Sequence, residues 1–382
     1  MVPSCYVHIP FCDSICAYCD FVRIQKNEQF FSNWKEKLIQ EIQGYKITNL
    51  HTLYFGGGTP SLLSISEFAS IRNCFPKDID EFTVECNPES LDEDKLKSYV
   101  DLGVNRISLG VQSFNDDLLE VCRRKHTASQ AISVIENIKK SAISTFSIDL
   151  IFGLPNQTLE DVKRDISIFL SLDIPHLSIY SLQIEENSVF GKSGVEPCDS
   201  DLEADMFEYI TKTLEAAGYI HYEISSFCKP GHYSKHNLAY WQDKDFYGFG
   251  CGASGRINGI RYDNTSSLKE YCSKGPCPSY INETLSERAM DAIMMALRTK
   301  FGLNMKEWNL KYQNDFKVHY AIVLDKYRAY FCFDGECIFL NDAGLEILNT
   351  ILVDFMLIEL YNLIAFVLRV WKLPTFRSVE KD

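Results

Sequence analysis

Positive charge is in short supply: 38 Lys and Arg stand against 52 Asp and Glu, a formal net charge of −14. A chain that grips phosphate backbones needs the opposite balance, so nucleic acid is not an expected partner. The first twenty residues lack the charged and then apolar layout of a secretory signal, being broken by Pro3, Pro10 and Asp13. With 14 cysteines and no such leader, the chain is expected in a reducing cytoplasm, where thiols and thiolate-bound metals survive. No internal repeat or low-complexity tract is present. Nor is there an unbroken run of the ~20 apolar residues that a membrane span wants. The most apolar stretch, 358–371, is interrupted by Glu359, Asn362 and Arg369. It reads as a packed terminal helix, with attachment to a membrane surface as the other option.

What is present is alternation. Short apolar, β-rich runs at 6–9, 52–55, 82–85, 106–110, 146–152 and 177–182 are separated by helical patterns near 27–46, 66–73, 92–102, 115–140, 158–171 and 199–217. Strands alternating with helices build βαβ units on a parallel sheet. Six units predict an α/β fold of the open, partial (β/α)6 barrel type, two short of a complete barrel. With 46% apolar residues over 382 positions, one large domain and a small one can each bury a core. Residues 1–225 are expected to form the partial barrel. Residues 219–275 read as an irregular connector rich in aromatics and glycine, and the connector region is bounded at 226–282.

From 283 to 357 the pattern becomes helix, helix, hairpin, helix, a small α+β module of winged-helix type. The hairpin is placed at 330–339, with Asp334-Gly335 as a type I′ turn, and Asn341-Asp342 caps the next helix. Acidic residues outnumber basic ones there, so the module is expected to face protein or cofactor rather than DNA. Residues 358–382 form the apolar tail.

Cys12, Cys16 and Cys19 form a C-x3-C-x2-C run directly after the first strand. Three thiolates so spaced can wrap one face of an iron–sulfur cluster. A [4Fe–4S] cube usually takes four cysteines, so three leave one iron open to a small molecule. Three buried thiols, or half of a zinc site, are the other readings. Zinc motifs bring a second half downstream, and none is spaced for it here.

The spacing resembles that of the radical S-adenosylmethionine superfamily. Tyr6-x-His8-Ile9-Pro10-Phe11-Cys12 narrows the likeness to the coproporphyrinogen III dehydrogenases (HemN) and the HemW-type heme chaperones. In the dehydrogenases a fourth cysteine follows the third. Here Asp20 and Phe21 follow Cys19, as in HemW-type chains. His236-Asn237-x-x-Tyr240-Trp241 resembles the H-N-x-x-Y-W motif of the same group.

The resemblance implies a [4Fe–4S] cluster on Cys12, Cys16 and Cys19, with S-adenosylmethionine on its open iron. It assigns the S-adenosylmethionine contacts to Tyr6, Tyr18, Gly57, Gly58, Thr59, Glu85, Gln112, Arg124 and Asp149, with Gly153 and Pro155 shaping the adenine pocket. The residue chemistry runs alongside. The Gly56-Gly57-Gly58-Thr59 loop follows a strand, and its carbonyls can accept from an ammonium; a plain tight turn is the alternative. Glu85 ends the next strand and can pair with that ammonium or with ribose hydroxyls. Arg124 can hold a carboxylate in a two-pronged bond, while Arg123 and His126 read equally as solvated surface groups. Asp149, embedded in an apolar strand, needs a partner, either ribose hydroxyls or an internal salt bridge.

By the same resemblance His236, Tyr240 and Trp241 contact heme, with His236 as an axial ligand. A structural histidine is the competing reading. Ser254 stands where the family carries a histidine, and His8 is a further ligand candidate. The implied function is a heme chaperone that binds heme and passes it to acceptor proteins. Two alternatives remain open. One is oxygen-independent conversion of coproporphyrinogen III to protoporphyrinogen IX; the other is a radical enzyme acting on an unrelated substrate.

Overall fold

The computed structural model describes residues 2–370. The chain divides into two compact units: residues 1–240 with 244–282, and residues 241–243 with 283 onward.

The first unit is built on one sheet. Its strands are β1 (Ser4–Ile9), β2 (Thr52–Gly57), β3 (Glu81–Cys86), β4 (Arg106–Gln112), β5 (Thr145–Phe152), β6 (His176–Ser181), β7 (Ile220–Glu223), β8 (Ser226–Cys228), β9 (Phe246–Phe249), β10 (Ser254–Ile257), β11 (Ile260–Asp263) and β12 (Ser279–Ile281). The order across the sheet is β12-β11-β10-β9-β1-β2-β3-β4-β5-β6-β8-β7. β1 to β6 are parallel neighbours in chain order, the six-strand core expected from the alternation.

Residues 219–275 are not an irregular connector. They supply strands to both flanks of the sheet. β8 pairs antiparallel with β6, and β9 pairs parallel with β1 in the register Ser4↔Phe246 to Val7↔Phe249.

Strand side chains alternate between faces, and the two faces differ sharply. Val7, Ile9, Leu53, Phe55, Phe82, Val84, Ile107, Leu109, Ile148, Leu150, Leu177 and Ile179 join Trp34, Leu38, Phe68, Tyr99, Ile135, Ile166 and Ile210 of the covering helices in one core. The intervening positions are Tyr6, His8, Tyr54, Thr83, Glu85, Arg106, Ser108, Ser147, Asp149, His176, Ser178 and Tyr180. A complete barrel packs this inner face with branched apolar residues. A polar inner face is the lining of a ligand site.

The helices that return from β2, β3, β4 and β5 each start on a side-chain cap. Ser64–Glu67 and Thr158–Asp161 are reciprocal capping boxes for α2 (Ile65–Arg72) and α6 (Leu159–Ser171), and Asp92 caps α3 (Glu93–Asp101). The single helical stretch read over 115–140 is two helices, α4 (Asp116–Val121) and α5 (Ala128–Lys140). Asn115 caps the first and the Thr127–Gln130 box caps the second. The turn between them carries Arg123 at φ +57° and is followed by Arg124.

The second unit holds helices Leu285–Ala296, Met305–Tyr312 and Leu348–Val370 around a three-stranded antiparallel sheet. Its hairpin strands are Phe331–Asp334 and Cys337–Leu340, with Asp334 paired to Cys337. The turn residues are therefore Gly335 and Glu336, one position later than expected. Only Gly335 has a positive φ (+58°), the type II′ rather than the type I′ sense. No described helix is long and apolar enough to cross a membrane. The last twelve residues of the 358–382 tail lie outside the described part.

Candidate cofactor site at the cysteine loop

The three cysteines sit on a loop tied down at many points. Phe11–Cys12 pairs with Ile24–Gln25, which closes the loop at its base. Inside it, Ala17 N–H donates to Cys122 O (3.0 Å), Phe190 N–H to Ala17 O (2.9 Å), and the Arg23 guanidinium to Cys19 O and Phe21 O. Phe21, where the dehydrogenases' extra cysteine belongs, is 65% exposed. Burial pushes the Cys12 thiol up to about 11 even though Thr59 bonds to it. A thiol so placed stays protonated and inert until a metal takes it as thiolate.

The glycine loop is clamped to the cysteine loop. Gly58 N–H donates to Ile9 O and Thr59 N–H to Phe11 O, both at 2.8 Å. A Cβ on Gly58 would lie 2.7 Å from Phe11 O and 2.8 Å from Ile9 O. This close approach of two backbones explains why a glycine is needed there. Gly57, at φ +107°, donates its N–H to Glu85 Oε2 (2.9 Å), and Tyr54 OH donates to Oε1 (2.7 Å). Tyr6 OH lies 2.9 Å from His8 Nδ1. Tyr18 packs against Leu118, Cys122, Ile151 and Leu154.

Arg124 ties the next strands to the cysteines. Its Nη1 lies 3.3 Å from Cys16 Sγ, and its Nη2 donates to Asn87 Oδ1 (2.8 Å) and Gly110 O (2.7 Å). Its buried Nε has no hydrogen-bond partner among the described residues. Gln112 sits on a β4 bulge at φ +72°, a strained conformation of the kind stored at functional sites. Asp149 accepts from Ser108 Oγ at 3.0 and 3.1 Å, so neither an apolar burial nor a salt bridge describes it.

Burial raises Glu85 to about 7, with Asp149 adding charge repulsion, and burial raises Asp149 to about 6. Two carboxyls so poised are stabilised by a ligand that brings ammonium or hydroxyl donors. Each binds its proton more tightly when folded than unfolded, so Glu85 lowers stability as pH climbs from about 4.5 to about 7 and Asp149 as it climbs from about 3.8 to about 6. For Glu85 the loss is on the order of 3 kcal/mol. In the ligand-free protein, Glu85→Gln should therefore raise the thermal midpoint relative to wild type at pH 7.5 and do so much less at pH 5. Equal effects at both pH values would refute the assignment.

The residues expected at heme are not arranged for it. His236 is 1% exposed, with Nδ1 2.8 Å from Thr52 Oγ1 and Nε2 2.7 Å from Tyr240 OH. Its ring stacks on Tyr54, and burial pushes its pKa down to about 3. Both ring nitrogens are occupied, so an axial bond to iron would require breaking one of these contacts. Trp241 belongs to the second unit, where it lies 6.0 Å from the Arg298 guanidinium. His8 is likewise used twice, by Tyr6 and by Val22 O (2.7 Å). Ser254 donates to Asp263 across the β10–β11 pair.

The glycine-rich segment after β9 instead supports the cysteine loop. A Cβ at Gly250 would lie 2.5 Å from His8 O, and one at Gly252 2.7 Å from a Val22 methyl. Glu41, buried on α1 (Glu28–Gly44), fixes this segment through Gly250 N–H, Asn264 Nδ2 and Tyr271 OH. Sequence reasoning missed Asn87, Ser108 and Glu41 as partners of the site. Asn87 alone carried a signal, standing two residues after Glu85 at a strand end.

Residues 6–168 match the model of the radical SAM superfamily. The heme chaperone HemW of Lactococcus lactis is 39% identical over 368 residues, covering 93% of this chain and 97% of that protein. HemW of Bacillus subtilis is 37% identical, covering 81% and 86%. The chain belongs to the HemW family. Among solved structures, coproporphyrinogen III oxidase (HemN) from Escherichia coli superposes with a TM-score of 0.81 at 21% identity, over 93% of this chain and 90% of that one. That likeness establishes the α/β radical SAM fold. A [4Fe–4S] cluster and S-adenosylmethionine are the cofactors of that superfamily. The three thiols on one tethered loop, the two poised carboxyls and the unpartnered Arg124 Nε fit those groups.

Proposed function

We propose that this chain is a cytoplasmic heme chaperone that carries a [4Fe–4S] cluster and S-adenosylmethionine and passes heme to acceptor proteins. The observation that carries the reading is the 39% identity to a HemW along almost its entire length. Cys12, Cys16 and Cys19 hold the cluster. Gly57, Gly58, Thr59, Glu85, Gln112, Arg124 and Asp149, with Tyr6 and Tyr18, would hold S-adenosylmethionine. When bound, the cluster supplies a single electron and S-adenosylmethionine a reducible sulfonium. The protein's part is orientation: Arg124 presents a guanidinium beside Cys16, and Glu85 and Asp149 offer carboxylates to the ligand's donors.

The test is hemin titration of the anaerobically reconstituted protein, followed by product analysis with coproporphyrinogen III. The expected result is a saturable shift of the Soret band and no protoporphyrinogen. Formation of protoporphyrinogen would overturn the chaperone in favour of the dehydrogenase. Because His236 is enclosed, His236→Ala should leave the heme spectrum unchanged.

A further inference from the structure

Behind Arg124 runs a polar chain, from half-buried Asn87 to buried His126, that the cofactor contacts alone do not require. Asn87 accepts from Arg124 through Oδ1, and its Nδ2 donates to Thr59 Oγ1 and to Glu89 Oε1, both at 3.3 Å. The other Glu89 oxygen lies 3.3 Å from His126 Nδ1. His126 Nε2 lies 3.1 Å from Val111 O. The residue that read as a solvated surface group is thus 3% exposed and enclosed between these two segments.

Both groups that face the His126 ring are acceptors, one a carboxylate and one a carbonyl. The ring thus lies between the Glu89 carboxylate and the Val111 carbonyl, one at each nitrogen. Burial raises the Glu89 pKa, but its contact with His126 and the Arg124 charge hold it below the usual carboxylate range. Val111 is the residue inside the β4 bulge, between Gly110 and Gln112. His126 therefore grips two things at once. Through Val111 it holds the bulge that sets Gln112 and the Gly110 carbonyl. Through Glu89 and Asn87 it holds the acceptor that aims Arg124 at Cys16.

We propose that Glu89 and His126 are positioning residues for S-adenosylmethionine, a carboxylate–imidazole pair that fixes Arg124 and Gln112 without touching the ligand. This rests on the reading that Arg124 and Gln112 face S-adenosylmethionine beside the cysteine cluster. Neither group is replaceable by simple bulk, because the pair transmits through directed bonds.

The experiment compares the anaerobically reconstituted full chain as wild type, Glu89→Gln, His126→Leu and the double variant. Iron content and the cluster's visible absorption should match wild type in all four, since the cysteines and their tethers are intact. The dissociation constant for S-adenosylmethionine should rise by about tenfold in each single variant, the loss typical when an orienting partner is removed. The S-adenosylmethionine-induced change in the electron paramagnetic resonance spectrum of the reduced cluster should shrink in parallel. The double variant should be no worse than the worse single, because both act through one chain. A merely structural pair would lower the melting temperature and leave affinity and spectrum unchanged, which would overturn the proposal. If His126→Leu does not fold, Glu89→Gln decides alone, its side chain being isosteric and one-fifth exposed. Wild-type protein that takes up no cluster, or no S-adenosylmethionine, would instead overturn the cofactor reading and this proposal with it.

Discussion

Cys12→Ala, Cys16→Ala and Cys19→Ala should each abolish the iron–sulfur chromophore, with bound iron and sulfide falling to near zero after anaerobic reconstitution. Three thiolates are the least that can hold a cube with one open iron, so the loop has no spare ligand. Cys122 feels the charge of Cys16, but it is fully buried against Leu118, Ile151 and Leu154, and burial pushes its thiol up to about 12. It is not placed to substitute. The apoprotein fold should survive, because Cys16 and Cys19 are only partly buried and the loop's tethers run through backbone atoms. Far-ultraviolet circular dichroism close to wild type, together with lost iron, is the expected combination. A single variant that retains wild-type iron would remove that cysteine from the site.

The second large effect is expected at Gly58. All three atoms a new Cβ would meet, Phe11 O, Ile9 O and Phe11 N, are backbone and lie within 2.7–2.9 Å. Backbone cannot swing aside as a flexible side chain can. Gly58→Val should thus cost about 3 kcal/mol or more, and it should push the glycine loop off the cysteine loop. Denaturant midpoints of the ligand-free protein measure the first consequence, and iron content after reconstitution measures the second. Gly44→Ala is the control. Nothing lies within 4 Å of a Cβ there, so both readings should stay near wild type. Equal behaviour of the two variants would show that the close approach at Gly58 does not constrain the site.

The six parallel strands were legible because each is a dense β-branched and aromatic run closed by a capped helix. β9 to β12 were not. They are three or four residues long, β9 and β10 each contain a glycine, and the one pairing that joins them to the core is distant, Phe246 with Ser4. The break after α4 was hidden because Thr127 and Gln130 cap a helix that continues the same apolar stripe. The cysteine and glycine motifs announced the site because their spacing carries the chemistry. The surroundings of His236 were illegible for the opposite reason: an imidazole's identity says nothing of Thr52, which is 184 positions away and contacts it. His126 was undervalued likewise, since its partners Glu89 and Val111 come from two other segments.

The pairing of β9 with β1 has a consequence for how the protein is made. The cysteines leave the ribosome more than two hundred residues ahead of the strand and glycines that brace their loop, Phe246 to Gly252. A growing chain therefore carries three reactive thiols on an unbraced loop for most of its synthesis. Cluster insertion is consequently a task for the finished sheet, and the nascent thiols depend until then on the reducing power of their surroundings.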